Sequence, residues 1–131
     1  MAVIDASVWV AWFNEDDKFL EQAESIFRSI ELKQERVCIP AIAFTEVAGA
    51  IKRTTKDKGL ASAAVYEMKD MNLNVFADFE KLEPIATDMA IQHSIKGADA
   101  YYLAVAELTK SKLYTFDKQQ EDAFEAISKN W

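Results

Sequence analysis

The chain has 131 residues, half of them apolar and three of them glycine, which is the composition of one compact domain and excludes a disordered tract. A net charge of −7 excludes a protein that coats nucleic acid by bulk charge, but not an enzyme with an acidic pocket and a local basic patch. With one cysteine and one histidine, neither an internal disulfide nor a thiolate–imidazole zinc site can form.

In chain order, "AVID" reads as a first buried strand and "SVWVAWF" as the start of an apolar helix. In "DKFLEQAESIFRSIEL", Phe19, Leu20, Ala23, Ile26, Phe27 and Ile30 recur at helical spacing. "RVCIP" is a short second strand stopped at Pro40, with Cys38 as a small buried apolar residue. "AIAFTEVAGAIKR" is a strongly apolar helix, and "GLASAAVYEMKDM" is another, entered after Gly59. "NVFADFEKLEPI" reads as extended, "TDMAIQHSI" as a helix that Gly97 ends, and "ADAYYLAVAELTK" as a helix. "KLYTF" is a last strand and "DKQQEDAFEAI" a last helix. No repeat or linker divides the chain, so residues 1–131 are expected to form a single domain. Short apolar strands alternating with helices predict a parallel sheet covered on both faces, with its ligand crevice beyond the C-terminal strand ends. No apolar run would cross a bilayer, and the N-terminus has no basic region or signal-type cleavage site, so a cytoplasmic location is expected.

Four acids stand out from the 22 in the chain because their neighbours are apolar. Asp5 and Asp117 follow strands, Glu46 lies inside "AIAFTEVAGAI", and Asp99 opens "ADAYYLAVA". Asp5, Asp99 and Asp117 have an alternative role as helix N-caps, and "DKQQ" resembles a capping box with Gln120. Glu46 has no such role. A buried carboxylate is costly or protonates unless it is compensated, and few cations lie in apolar contexts here. A divalent ion shared by several carboxylates would compensate all four, and oxygen ligands select Mg²⁺ or Mn²⁺.

The segments "VIDASVWVAWF", "FTEVAGAIKR", "GADAYYLAVAE" and "YTFD" resemble, in order, the four acidic motifs of PIN-domain ribonucleases, and most of all those of VapC-type toxins from prokaryotic toxin–antitoxin pairs. The resemblance spans almost the whole chain. It implies a three-layer α/β/α sandwich around a parallel sheet, and RNA cleavage with Mg²⁺ or Mn²⁺. It assigns Asp5, Glu46, Asp99 and Asp117 to the metal-binding, catalytic site. Ser7 and Thr115 match hydroxyl residues that hold the ligands or a water in place. It also implies a homodimer and a small antitoxin partner. The one departure is a chain that begins almost at its first strand.

Metal-assisted attack by water would leave a 5′-phosphate and a 3′-hydroxyl, with one or two ions. His93, the sole histidine, is read as an ordinary helix residue. Lys52, Arg53, Lys56 and Lys58 cluster after the Glu46 helix and Lys96 precedes Asp99; these either hold RNA phosphates or form solvated surface. Trp9, Trp12, Tyr101 and Tyr102 are read as core or dimer interface in preference to base-stacking platforms. A housekeeping RNA-processing nuclease is the alternative to a toxin. A receiver-type Mg²⁺-binding signalling domain is further off, since Asp5 stands alone after its strand. A haloacid-dehalogenase phosphatase would need Asp-x-Asp, and "DAS" puts Ser7 in the second place.

Overall fold

The structure, a computed structural model, describes residues 1–131 throughout. Four short strands, β1 (Ala2–Ile4), β2 (Val37–Pro40), β3 (Asn74–Phe76) and β4 (Lys112–Tyr114), form one sheet in the order β3-β2-β1-β4. All three pairings are parallel, with Val3 opposite both Cys38 and Leu113, and Ile39 opposite Val75. The two central strands, β1 and β2, are wholly buried, as their uninterrupted apolar runs require.

Seven helices cover the sheet: α1 (Ala6–Phe13), α2 (Leu20–Leu32), α3 (Ala43–Thr55), α4 (Lys58–Asp70), α5 (Phe79–His93), α6 (Gly97–Thr109) and α7 (Lys118–Ser128). The chain steps from β1 to β2 to β3 in one direction, then returns past β1 to β4. Right-handed crossovers therefore put α1–α4 on one face and α5–α6 on the other, which gives the three-layer sandwich that the sequence predicts. Helix α6 lies across β2, β1 and β4, and its buried residues Tyr102 to Ala106 complete the core with Trp9, Ile4, Ile39 and Ile51. The reversal of strand order falls between β1 and β4, and a doubly wound sheet opens its crevice there. No helix is long and apolar enough to cross a membrane.

Two local expectations are corrected. Residues 74–85 are not extended throughout: β3 ends at Phe76, Asp78 caps a helix by accepting from the Lys81 amide at 3.1 Å, and α5 runs from Phe79 with Pro84 inside it. Leu82, Ala86 and Met89 form a buried stripe at helical spacing, and that burial outweighs the one hydrogen bond that Pro84 removes. Gly97 does not end this helix. Ser94 does, in the left-handed conformation at φ 55°, and Gly97 is the first residue of α6. Non-glycine residues in that conformation cost about 1–2 kcal/mol. Ser94→Gly is therefore expected to raise stability by about 1 kcal/mol, measured as a higher urea midpoint at unchanged slope.

Candidate active site

Each of the four acids sits at a helix N-terminus. Asp5 is the N-cap of α1 and Asp117 the N-cap of α7, while Glu46 lies in the first turn of α3 and Asp99 in the first turn of α6. Four positive helix ends thus lie beside the four acids. The capping alternative holds for Asp5 and Asp117 and fails for Asp99, because the N-cap of α6 is Lys96.

Asp5 is only 3% exposed. Its backbone amide bonds the Tyr114 carbonyl at 3.0 Å, which ties the end of β1 to the end of β4. Its two carboxylate oxygens have different surroundings. Oδ2 accepts from the Ser7 amide at 3.2 Å, the Ser7 hydroxyl at 2.7 Å and the Thr115 hydroxyl at 3.0 Å. Oδ1 is buried without any partner. Ser7 and Thr115 are in turn fixed by the loop after β4: the Phe116 amide donates to Ser7 Oγ and the Asp117 amide to Thr115 Oγ1, each at 3.0 Å. Both hydroxyls thus place Asp5 and lock it to the loop that carries Asp117.

The cluster is strained electrostatically. Burial pushes the Asp5 carboxyl up, and the Ser7 and Thr115 hydroxyls only partly offset this. Glu46 is also raised, first by burial and then by the Asp5 charge, with Tyr102 and Arg53 acting in the opposite sense. Asp99 is pushed up to about 6 by burial and by the charges of Asp5, Glu46 and Asp117, with Lys96 opposing. Asp99 therefore lies within electrostatic reach of the other three acids, and Glu46 within reach of Asp5. A helix end offers about 0.3–1 kcal/mol, whereas a buried charged group left without a partner costs more than about 1–3 kcal/mol. The helix termini alone leave the site under-compensated.

Residues 2–125 match the PIN domain family. The chain belongs to that family. PIN domains are nucleases. No curated protein matches the sequence. Among solved structures, the chain is similar to VapC20 of Mycobacterium tuberculosis, a sarcin-ricin loop cleaving toxin, with a TM-score of 0.81 and 21% identity over 94% of this chain and 95% of that one. It is similar to PAE2754 from Pyrobaculum aerophilum, at 0.67 and 18% over 98% and 93%. It is also similar to FitAcB from Neisseria gonorrhoeae, at 0.65 and 18% over 95% and 94%. At these identities the likeness is one of fold.

PIN nucleases use divalent metal ions, and the residues of this PIN domain fit one. Asp5 Oδ1 and Glu46 Oε1 are both buried and unpartnered, and every donor in the cluster is a hard oxygen, suited to Mg²⁺ or Mn²⁺. As placed, no three acids converge closely enough to surround one ion. The orphaned oxygens and the donor chemistry, not a closed cage, carry the fit.

The basic residues divide. Arg53 and Lys96 act on Glu46 and Asp99 respectively. Lys52 and Lys58 instead line a groove between α3 and α4, with Phe44, Ala61 and Lys69, and Lys56 is the left-handed C-cap of α3. The five do not form one patch on the acidic site.

The contacts that two residues make at the site escape sequence reasoning, which has Gln120 in a capping box and Tyr102 as core or dimer interface. Gln120 donates its backbone amide to Asp117 Oδ1 at 3.1 Å, as a capping motif requires. Its side chain does not complete the capping box; it is fully buried, meets Thr115 Oγ1 at 3.4 Å and donates to the Asp99 carbonyl at 3.1 Å. It thereby joins the start of α6 to the loop after β4, and a polar residue in a helix that reads as amphipathic carries no sign of that direction. Tyr102 is wholly buried, with its hydroxyl beside Glu46 but outside hydrogen-bond geometry, so that it too is orphaned. Burial and the Glu46 and Asp5 charges hold its phenol protonated. Trp9 is core, its indole donating to the Ile4 carbonyl at 3.1 Å, and Tyr101 stacks on Phe79.

Proposed function

We propose that this PIN domain is a Mg²⁺- or Mn²⁺-dependent endoribonuclease that cleaves single-stranded RNA, and that it is the toxin of a toxin–antitoxin pair. The observation that carries the reading is the pair of buried, unpartnered oxygens on Asp5 and Glu46, at the switch point of a parallel sheet and within reach of two further acids. Asp5, Glu46, Asp99 and Asp117 would hold the ion. When bound, it would supply an activated water and offset charge on the phosphate in the transition state.

The chain's own residues do the rest. Ser7 and Thr115 hold Asp5 by one oxygen so that the other stays presented. Asp99, pushed up to about 6 by burial and by the neighbouring acids, would give up that proton on taking the ion, which relieves the same repulsion. Arg53 and Lys96 would hold RNA phosphates at the rim, and Lys52, Lys56 and Lys58 would extend that contact along the RNA. Water adds to phosphorus, the bond to the 3′-oxygen breaks, and that oxygen takes a proton, so the products are a 5′-phosphate and a 3′-hydroxyl.

The toxin assignment rests on the likeness to a VapC toxin over nearly the full length of both chains, with a homodimer and a small antitoxin as the expected partners. The purified protein is expected to cut single-stranded RNA with Mg²⁺ or Mn²⁺, to stop in EDTA, and to leave 5′-phosphates when the new ends are sequenced. Undiminished cleavage in chelator, or 2′,3′-cyclic phosphate ends, would overturn the mechanism.

A further inference from the structure

Gly49 is an anomaly in α3. Glycine inside a helix is destabilising relative to alanine, and every residue from Ala43 to Thr55 has helical geometry that alanine would adopt. Gly49 has no positive φ that would require it. What it does have is a neighbour. A Cβ placed at position 49 would stand 3.0 Å from a terminal guanidinium nitrogen of Arg53, tighter than ordinary contact. Arg53 is one turn further along the same helix face, and Glu46 is one turn back. The side chain of Arg53 therefore folds back over the bare backbone at Gly49, towards the acids.

The guanidinium is not consumed there. The only ion pairs in the protein are Lys110–Glu107 and Lys118–Asp122, both elsewhere. Arg53 also donates no side-chain hydrogen bond, although its charge is felt at Glu46. An arginine at the rim of an acidic cluster would ordinarily collapse into a bidentate pair with a carboxylate. Arg53 is exposed and forms no such pair, which leaves its planar fork of five donors free.

We propose that Gly49 is a seat for the Arg53 side chain, and that Arg53, so seated, is a catalytic residue whose guanidinium binds the non-bridging oxygens of the scissile phosphate as charge builds on them. This rests on the nuclease reading above and adds a role that phosphate holding alone does not. A residue that only anchors RNA lowers KM, whereas one aimed at the developing charge raises kcat. The geometry gives a reason for a costly glycine four residues before an arginine: a Cβ at 49 would make the guanidinium give by a few tenths of an ångström from the position it takes over the bare backbone.

A double-mutant cycle with two readouts tests this. Arg53→Ala is expected to lower kcat by about 10²-fold with a smaller change in KM, and Arg53→Lys to restore only part of it, because an ammonium lacks the planar fork. Gly49→Ala is expected to lower kcat by about 10-fold in the wild-type background and to have no further effect in Arg53→Ala, which is the coupling expected if it acts through the guanidinium. Thermal melts in EDTA read the seat without catalysis. Gly49→Ala should raise the melting temperature in the Arg53→Ala background and raise it less, or lower it, with Arg53 present. Equal effects of Gly49→Ala in both backgrounds, in rate or in melting temperature, would overturn the seat. A change confined to KM would overturn the catalytic role. If the wild type shows no metal-dependent cleavage, the nuclease reading fails together with the catalytic role, and the melts still decide the seat.

Discussion

Asp5→Asn is expected to fold, to melt at a higher temperature than the wild type in EDTA, and to cleave RNA about 10³-fold more slowly. The three parts of this result follow from the two oxygens of one carboxylate. An asparagine oxygen can replace Oδ2 and accept the Ser7 and Thr115 hydrogen bonds, and asparagine caps a helix as well as aspartate does. Its amide would then occupy the place of Oδ1, where a buried charge now has no partner. Removing that charge relieves the metal-free protein. It also removes an anionic ligand, and the charge stabilisation that a metal gives is worth several kcal/mol; about 4 kcal/mol corresponds to a rate loss of about 10³. Asp5→Ala is the contrasting variant. It loses the cap as well, about 1 kcal/mol, so its gain in stability should be smaller or absent while its activity falls as far. Circular-dichroism melts and single-turnover cleavage of the two variants check both halves. Wild-type turnover in Asp5→Asn would return Asp5 to a purely capping role.

The second large effect is the dependence of stability on pH and metal. Asp99 has a folded-state pKa of about 6 against 3.8 for an unperturbed aspartate. Below the lower value both folded and unfolded chains carry the proton and there is no penalty. As pH rises between the two, the unfolded chain releases a proton that the folded chain still holds, so stability falls, and above about 6 the loss is complete. Asp5 and Glu46 are raised as well and act in the same sense. The metal-free protein is therefore expected to be more stable near pH 4 than at pH 7 as far as this site is concerned. Asp99→Asn should flatten that slope and raise the neutral melting temperature in EDTA, by about 3 °C for each kcal/mol relieved at this chain length. Mg²⁺ or Mn²⁺ at a hundredfold excess over its dissociation constant should add about 2.7 kcal/mol to the wild type and less to the variant. Melts of both proteins from pH 4 to 8, with and without metal, measure all of this. A variant that is less stable than wild type in EDTA and gains as much from metal would contradict a role for Asp99 in a shared site.

The parts of the molecule that could be read from sequence are those where one physical signal dominates. Val3, Ile4 and Val37–Ile39 are continuous apolar runs too short for helices, and they are the two buried central strands. Glu46 stands out because an uncompensated acid in an apolar helix has no structural use, and the structure brings it within reach of Asp5 and Asp99. Asp5 and Asp117 were ambiguous for a physical reason: each does cap a helix, so the capping signal and the site signal coincide. What stayed hidden depends on direction or on competition. Residues 74–85 read as extended throughout, and the Asp78 cap with the buried stripe beyond it won. Gln120 and Tyr102 owe their places to where their side chains point, and composition does not record that. Lys52 and Arg53 are neighbours in sequence, yet one lines the groove between α3 and α4 and the other folds back towards the acids, as successive positions on a helix must diverge.

The central claim is that the four carboxylates are compensated by a divalent ion they share, and a Mn²⁺ titration followed by electron paramagnetic resonance tests it without reference to RNA. The account predicts saturable loss of the free Mn²⁺ signal on addition of the wild-type protein at neutral pH, competition by Mg²⁺, and weaker binding in each of Asp5→Asn, Glu46→Gln, Asp99→Asn and Asp117→Asn while all four remain folded. A wild-type protein that leaves the Mn²⁺ signal unchanged, or four variants that bind Mn²⁺ as tightly as it does, would contradict it.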